Sequence, residues 1–538
     1  VVANQLYIVG ELTVWSFQPM EQVSPNVFEA TFDNCEAGKK FRASMAPVWG
    51  THLRPEIDNT ELAIDNKDGL DIKLDQNEDY NWVTKEPGSY KIRFDLNKMK
   101  VSANNEPTTS ITEIIQTDGN APCEYFNLQG IRVIYLDYSA PLEERVEDAL
   151  SRMTLEEKVK MVHAQSKFSS AGVPRLGIPE LWCIDGPHGI RPEVLWDEWN
   201  SAEWTNDSCT AFPALSCLAA TWRPELAREY GRALGEEARY RRKDILLGPG
   251  VNMMRTPLNG RSFEYMGEDP FLTSTMVVPY IQGVQSNNVA ACVKHFALNN
   301  NEDNRYTTNV HVGERALHEI YLKPFKAAVE GGAWAIMPAY NLFENRNCCE
   351  NPRLLRDILK RQWGFDGVAV SDWGGVHNTD AVLEGGLDLE MGTGTDGVSV
   401  NMNAYDSYYM ANPYLERLRN GRESIDDLND RVRRILRTIF RTSMAPSNWK
   451  GRFTCPEHYA TARKIGSEGI VLLKNNGILP LKQDIRKILV VGENAVKMMT
   501  VGGGSASLKV QHEVTPLAGL KSASETADLD WERGYLGA

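Results

Sequence analysis

Residues 367–373 read Gly-Val-Ala-Val-Ser-Asp-Trp. The apolar stretch is the length of a fully buried strand, and it stops abruptly at a hydroxyl and a carboxylate. The same grammar recurs on both sides: LWCID (181–185), DILLGPG (244–250), AACVKHF (290–296), AWAIMPAY (333–340) and GLDLEM (386–391). Between these runs lie segments with apolar residues at helical spacing, such as PELAREYGRALGEEARYRR (224–242), ERALHEIYLKPFKAAVE (314–330), NPRLLRDILKRQW (351–363) and DRVRRILRTIF (430–440). The alternation begins with PLEERVEDALSRM, followed by Thr154-Leu-Glu-Glu157, a capping box that opens the next helix. Strand–helix alternation sustained over residues 140–440 predicts a parallel α/β domain, and its length fits a (β/α)8 TIM-like barrel better than an open sheet.

The flanks read differently. Residues 1–110 carry short alternating stretches, LYIVGEL (6–12), NVFEATF (26–32) and SYKIRFDL (89–96), separated by Pro, Gly, Asn and Asp. That pattern predicts an all-β sandwich. Residues 111–139 read as a linker, as do 441–460. From about 456, the helix EHYATARKIGSEGIVLLKN leads to the strand KILVVGENA (487–495) and the run Val501-Gly-Gly-Gly-Ser505, and residues 461–538 read as the start of a further α/β sandwich domain.

Composition narrows the function. With 538 residues, 42% hydrophobic and 24% charged, the chain is a multidomain globular protein and neither disordered nor fibrous. A net charge of -14 argues against a nucleic-acid partner, since no basic surplus exists to neutralise phosphates. No apolar run is long enough to span a membrane. The nine cysteines contain no CxxC pair; Cys209 and Cys217 are close enough in sequence to bridge, which spacing alone leaves open. No metal-ligand pattern appears, because His188, His295 and His377 fall on different elements, and no cofactor is expected. Gly502–Gly504 lacks both the lysine of a phosphate loop and the dinucleotide spacing, so it reads as a tight turn.

The chemistry gathers at the C-terminal ends of the strands: Asp185, Arg255 and Arg261, Lys294 and His295, Tyr340, Asp372 with Trp373, and Glu390. A strand-end aspartate by itself is more often a helix cap than a catalyst. Six strands ending in this way point instead to one site, because the βα loops of a parallel barrel converge on that edge. Carboxylates, an Arg-Lys-His set and an aromatic face suit a polyol ring.

These stretches resemble glycoside hydrolase family 3, in its β-glucosidase-like branch. The matching pieces are Asp185-Gly-Pro-His-Gly-Ile-Arg191, Gly248-Pro-Gly-Val-Asn252, Gly260-Arg-Ser-Phe-Glu-Tyr-Met-Gly-Glu-Asp-Pro270, Lys294-His-Phe296, Met337-Pro-Ala-Tyr-Asn341, Trp363-Gly-Phe-Asp-Gly367 and Ser371-Asp-Trp373. The tail from Gly469 to Ser505 resembles the start of that family's second domain. The resemblance implies a retaining, exo-acting β-glycosidase. Asp372 is the implied nucleophile. Asp185, Arg191, Arg261, Lys294 and His295 are the implied groups around the terminal sugar, with Tyr340 beside the nucleophile and Trp373 stacking. The implied acid/base is a glutamate of the second domain beyond Ala538; Glu493, Glu513, Glu525 and Glu532 match no part of that pattern. A chain of this extent is therefore expected to form the nucleophile half-site and to protonate leaving groups poorly.

The loop FALNNNEDNR (296–305) lacks the histidine of the family's N-acetylglucosaminidases, and Asp185 in its Asp-Gly-Pro setting resembles glucosidases. A β-glucosidase acting on β-linked oligosaccharides is the reading, with β-xylosidase or dual activity as the near alternative and a non-catalytic glycan-binding protein as the distant one. Residues 1–110 resemble starch-binding modules of outer-membrane glycan-uptake systems, with Trp15, Trp49 and Trp82 as a possible sugar platform. EYFNLQGIRV (124–133) resembles a segment of secreted proteins of such systems. A periplasmic or secreted, cell-surface location is therefore expected, for a mature chain whose first residues, VVANQLYIVG, show no signal peptide.

Overall fold

The computed structural model describes residues 6–13, 18–24, 27–44, 52–54, 60–63, 70–75, 81–85, 88–96, 100–104, 133–202, 208–392, 404–447, 449–482, 484–500, 502–524 and 526–535. Most of the 111–139 segment, together with Trp15 and Trp49, lies outside the described residues.

The N-terminal region is all-β. One sheet runs in the order Gln18–Pro19, Tyr7–Gly10, Lys40–Ser44, Trp82–Thr84, Thr60–Leu62, with His52–Arg54 and Lys73–Asp75 attached at the side. The other runs Glu21–Ser24, Val27–Cys35, Gly88–Asp95, Lys100–Asn104, Leu70–Asp71. Alternate residues of both sheets, among them Ile8, Phe28, Phe41, Ile92 and Phe94, enter one apolar core. Trp82 sits at its centre, 5.4 Å from the Phe94 ring and 6.0 Å from Phe41, and is fully buried. It therefore cannot serve as part of a surface sugar platform.

The central region is built on parallel strands Leu181–Asp185, Ile245–Leu247, Ala290–Phe296, Ala335–Pro338 and Val368–Ala369, paired in that order. Single parallel bridges continue the ladder from Val370 to Leu389 and from Glu390 to His163. An antiparallel bridge from Ala164 to Ser170 then leads to Ser169–Ser170, which pairs antiparallel with Leu181–Asp185. The sheet thus closes on itself, as expected of a barrel, but the fully parallel expectation is wrong at one place. Residues 165–168 turn the chain straight back instead of crossing over through a helix, so Ser169–Ser170 runs against its neighbours.

Helices pack around this sheet through the predicted apolar stripes. The Thr154 capping box forms, with the Glu157 N–H donating to Thr154 Oγ1 at 3.2 Å and the Thr154 N–H donating to Glu157 Oε2 at 2.8 Å. Helices Pro224–Tyr240 and Pro270–Gln285 approach so closely that a Cβ at Gly231 would lie 2.1 Å from the Tyr280 carbonyl oxygen. Only glycine fits there.

Residues 442–447 and 449–455 are tied to the barrel from outside. Thr442 Oγ1 donates to Asp244 at 2.8 Å, and Trp449 Nε1 donates to Asn287 Oδ1 at 2.8 Å. Helix Pro456–Glu468 follows and brings buried His458 between Glu236 and Glu237, 2.9 Å from a carboxylate oxygen of each. Burial disfavours the imidazolium, but the two carboxylates outweigh it and hold the histidine above its ordinary value. Burial likewise opposes the Glu236 carboxylate, yet His458 and Arg452 pull it down to about 2. The histidine's contribution is lost as pH rises through its raised value, and that of Glu236 is lost as pH falls through its lowered one. The cluster is therefore fully stabilising between the ordinary values of 4.5 for glutamate and 6.5 for histidine. His458→Ala takes the cation from Glu237, which keeps the Thr210 and Thr454 N–H groups, while Glu236 keeps Arg232 and Arg452; the expected cost is about 3 kcal/mol at pH 6. A urea midpoint unchanged by that substitution would contradict this reading of the cluster.

Beyond residue 470, the strands Lys487–Val491 and Asp528–Glu532 pair in parallel, with helix Pro516–Ala523 between them. All described cysteines from Cys183 onward, including Cys209 and Cys217, are free thiols.

Candidate active site

The strand ends open onto one cavity of about 680 Å³. Asp185 and Arg191 reach it from the end of Leu181–Asp185, and Arg261 from the turn after Ile245–Leu247. Lys294 and His295 come from Ala290–Phe296, Tyr340 from beyond Ala335–Pro338, and Asp372 and Trp373 from beyond Val368–Ala369. All eight residues singled out from the sequence as site groups line this cavity. Two strand-end residues do not. Arg255 lines a separate cavity. Glu390 accepts the backbone N–H groups of Met410 and Tyr409 at 2.7 and 3.3 Å, and burial pushes its carboxyl up to about 8.

Local backbone features place the side chains. Pairing between Ala290–Phe296 and Ala335–Pro338 shifts register between Lys294 and Phe296. That irregularity breaks the usual two-residue alternation and lets consecutive residues, Lys294 and His295, reach the same cavity. Asn252 clamps this stretch from the side, accepting from the His295 N–H at 2.7 Å and donating to the His295 carbonyl at 2.8 Å. The short helix Ser262–Glu264 brings Glu264 back onto the Arg261 guanidinium, to which it is ion-paired.

The floor is a buried charge network. Lys294 Nζ lies 3.8 Å from Asp185 and 3.9 Å from Glu264, and Arg191 is 3.3 Å from the other Asp185 oxygen. Asp372 Oδ1 accepts the Trp373 N–H at 2.8 Å, while Oδ2 lies 3.7 Å from His295 Nε2 and has no hydrogen-bond partner among the described residues. Burial raises the Asp372 carboxyl above its ordinary value, against the opposing pull of Arg261, Lys294, the Trp373 N–H and Tyr340. Burial raises Asp185 too, opposed by Lys294 and Arg191. Burial, reinforced by Arg261, Lys294 and Arg305, drives His295 well below the usual histidine range, so its ring is neutral, with Nδ1 3.0 Å from the Tyr265 hydroxyl. A buried carboxylate thus sits on the cavity among Arg261, Lys294 and a neutral imidazole, an arrangement suited to nucleophilic attack on an electrophilic carbon.

The walls are aromatic. The Tyr340 hydroxyl donates to the Trp373 carbonyl at 2.9 Å, and Trp373 Nε1 donates to the Lys167 carbonyl at 2.6 Å. Phe168 lies 5.2 Å from the Trp373 ring and 5.7 Å from Trp199. On the other side Tyr306 packs 4.8 Å from Tyr340, with the Arg305 guanidinium 4.5 Å over the Tyr340 ring. The lining also includes Phe263, Glu264, Glu302 and residues 503–505, none of which the strand-end pattern singled out. Glu264 was readable, since it lies within the quoted Arg-Ser-Phe-Glu run. Trp199 and Tyr306 lie on loops whose path the sequence does not disclose.

Comparison with known proteins agrees with this geometry. The model of the glycosyl hydrolase family 3 N-terminal domain matches residues 149–438, and that of the family's C-terminal domain matches residues 470–532. Beta-glucosidase BoGH3A of Bacteroides ovatus is 55% identical over 398 residues, covering 72% of this chain and 53% of that protein. A beta-glucosidase of Rhizobium radiobacter is 39% identical over 389 residues, covering 71% of this chain and 45% of that protein. Among solved structures, beta-glucosidase 3B from Thermotoga neapolitana in complex with glucose matches with a TM-score of 0.64 at 35% identity, covering 71% of this chain and 55% of that one. The chain spans about half the length of the curated relatives it matches. The N-terminal match alone contains every strand end that lines the cavity, and the chain belongs to glycosyl hydrolase family 3.

Proposed function

We propose that this chain carries the terminal-sugar site and the nucleophile of a retaining, exo-acting β-glycosidase, a β-glucosidase that releases terminal β-D-glucose from oligosaccharides or aryl glucosides. The observation that carries the reading is the convergence of Asp185, Arg191, Arg261, Lys294, His295 and Asp372 on one cavity. Support also comes from the relatives named beta-glucosidase. Asp372 attacks the anomeric carbon through an oxocarbenium-like state and forms a glycosyl ester, which water then cleaves with net retention. Asp185 accepts from sugar hydroxyls, Arg191, Arg261 and Lys294 donate to hydroxyl oxygens, and Trp373 covers the C–H face of the ring. The β-xylosidase alternative differs by one hydroxymethyl group, which a pocket contact discriminates by roughly 1–3 kcal/mol.

The described strands between residues 6 and 104 form a β-sandwich that binds glycan, and the protein acts on polysaccharide fragments outside the cytoplasm.

Two measurements test the activity. Proton NMR of aryl β-glucoside hydrolysis is expected to show the β-anomer of glucose before mutarotation; α-anomer first would contradict retention. Activated aryl glucosides are expected to be cleaved faster than cellobiose, whereas a pure glycan binder would cleave neither.

The pH profile follows from Asp372. Only its ionised form attacks, so kcat/KM is expected to fall on the acid side with a midpoint above the ordinary carboxylate value of 3.8. The same raised value makes the charge costly to the fold, because its stabilising contribution exists below the unfolded value and is lost as pH rises. Asp372→Asn is accordingly expected to raise the Tm at pH 7 while abolishing turnover. A lower Tm would contradict the desolvation argument.

A further inference from the structure

The loop between Ala290–Phe296 and the helical turn starting at Glu314 faces two cavities. Glu302, Arg305 and Tyr306 line the catalytic cavity, while Asn300, Asn301 and Thr308 of the same loop line a second one of about 610 Å³. The two cavities share no lining residue. The second lies within the roughly 300–1,000 Å³ range of small-molecule sites.

We propose that this second cavity binds a neutral saccharide ring. Three carboxamides and a hydroxyl, from Asn300, Asn301, Asn341 and Thr308, border it. Each already donates to a backbone carbonyl of the protein, whereas Asn341 Oδ1 is buried with no hydrogen-bond partner among the described residues and is left to accept from a sugar hydroxyl. Arg255 and Glu268 also border it and offset each other in charge, which disfavours a net anion or cation as the occupant. Met253, Val310 and Ile320 supply an apolar wall for the C–H face of a ring. The wall and the loop are tied together, with Asn300 Nδ2 donating to the Met253 carbonyl at 2.6 Å and the Leu342 N–H donating to the Thr308 carbonyl at 2.9 Å. A bound sugar therefore packs against the loop whose other residues, Arg305 and Tyr306, hold Tyr340 beside Asp372.

Calorimetric titration of the full chain with cellobiose tests this, with Asp372→Asn present to stop turnover. Two sites are expected, the second about tenfold or more weaker than the first. Ala316→Trp, which fills the second cavity from its wall, is expected to remove the weaker site alone. Arg255→Gln with Glu268→Gln serves as a second variant on exposed positions and is expected to weaken the same site without changing the fold. A single-site isotherm in the parent that Ala316→Trp leaves unchanged overturns the proposal, as do two sites that persist in both variants. A single site that vanishes with Ala316→Trp supports the second cavity and contradicts instead the sugar site around Asp185.

Discussion

Asp372→Ala is expected to lower kcat/KM on an aryl β-glucoside by roughly 10⁴- to 10⁶-fold, the range seen when a covalent nucleophile is removed. The geometry behind this number is specific. Oδ1 is held by the Trp373 N–H at 2.8 Å, which fixes the carboxylate plane, while Oδ2 has no hydrogen-bond partner among the described residues. Alanine removes both oxygens yet leaves the cavity and its cations, so substrate binding should weaken far less than turnover. An added small anion such as azide should restore part of the rate by attacking in the vacated space, giving a glycosyl azide of inverted anomeric configuration. A variant retaining more than about a hundredth of wild-type kcat/KM would assign the nucleophile elsewhere.

Lys294→Met should harm both the fold and the activity. Lys294 is buried, with its ammonium between Asp185 and Glu264 at 3.8 and 3.9 Å. Glu264 Oε2 has no hydrogen-bond partner among the described residues, and Lys294 is, with Arg261, a compensating charge beside it. Methionine keeps most of the side-chain volume and removes only the charge. The expected cost is about 3–5 kcal/mol at neutral pH, because two buried carboxylates lose their shared cation. The activity is expected to fall about 10²–10³-fold through loss of a fixed donor to the sugar. The stability deficit should shrink as pH falls and Asp185 and Glu264 take up protons. A deficit independent of pH between 4 and 8 would refute the electrostatic explanation.

The strand ends were the legible part of this chain. Short apolar runs closing on polar residues located Asp185, Lys294, His295, Tyr340 and Asp372, because a closed sheet of parallel strands brings those ends to one rim. The same rule over-predicted Glu390. Its carboxylate is captured by the backbone N–H groups of residues 409 and 410, a tertiary contact no periodicity encodes. Trp82 shows a similar limit: an aromatic in an alternating strand reads equally as core or platform, and packing against Phe94 settled it as core. The hairpin that reverses residues 169–170 was missed because its strand is only two residues long. Loop residues were the least legible. Trp199, Glu302 and Tyr306 reach the cavity through chain paths set by long-range contacts, as with Arg305 folding back over Tyr340.

The account rests on a covalent ester at one carboxylate, and trapping that ester tests it most directly. The full chain would be incubated with 2-deoxy-2-fluoro-β-D-glucosyl fluoride, whose 2-fluorine slows both formation and breakdown of the intermediate while the good fluoride leaving group keeps formation the faster step. Proteolysis and mass spectrometry are predicted to find one fluoroglucosyl unit per chain, on the peptide containing Asp372. A label on any other carboxylate, or continued hydrolysis of aryl β-glucosides with no label formed, would contradict it.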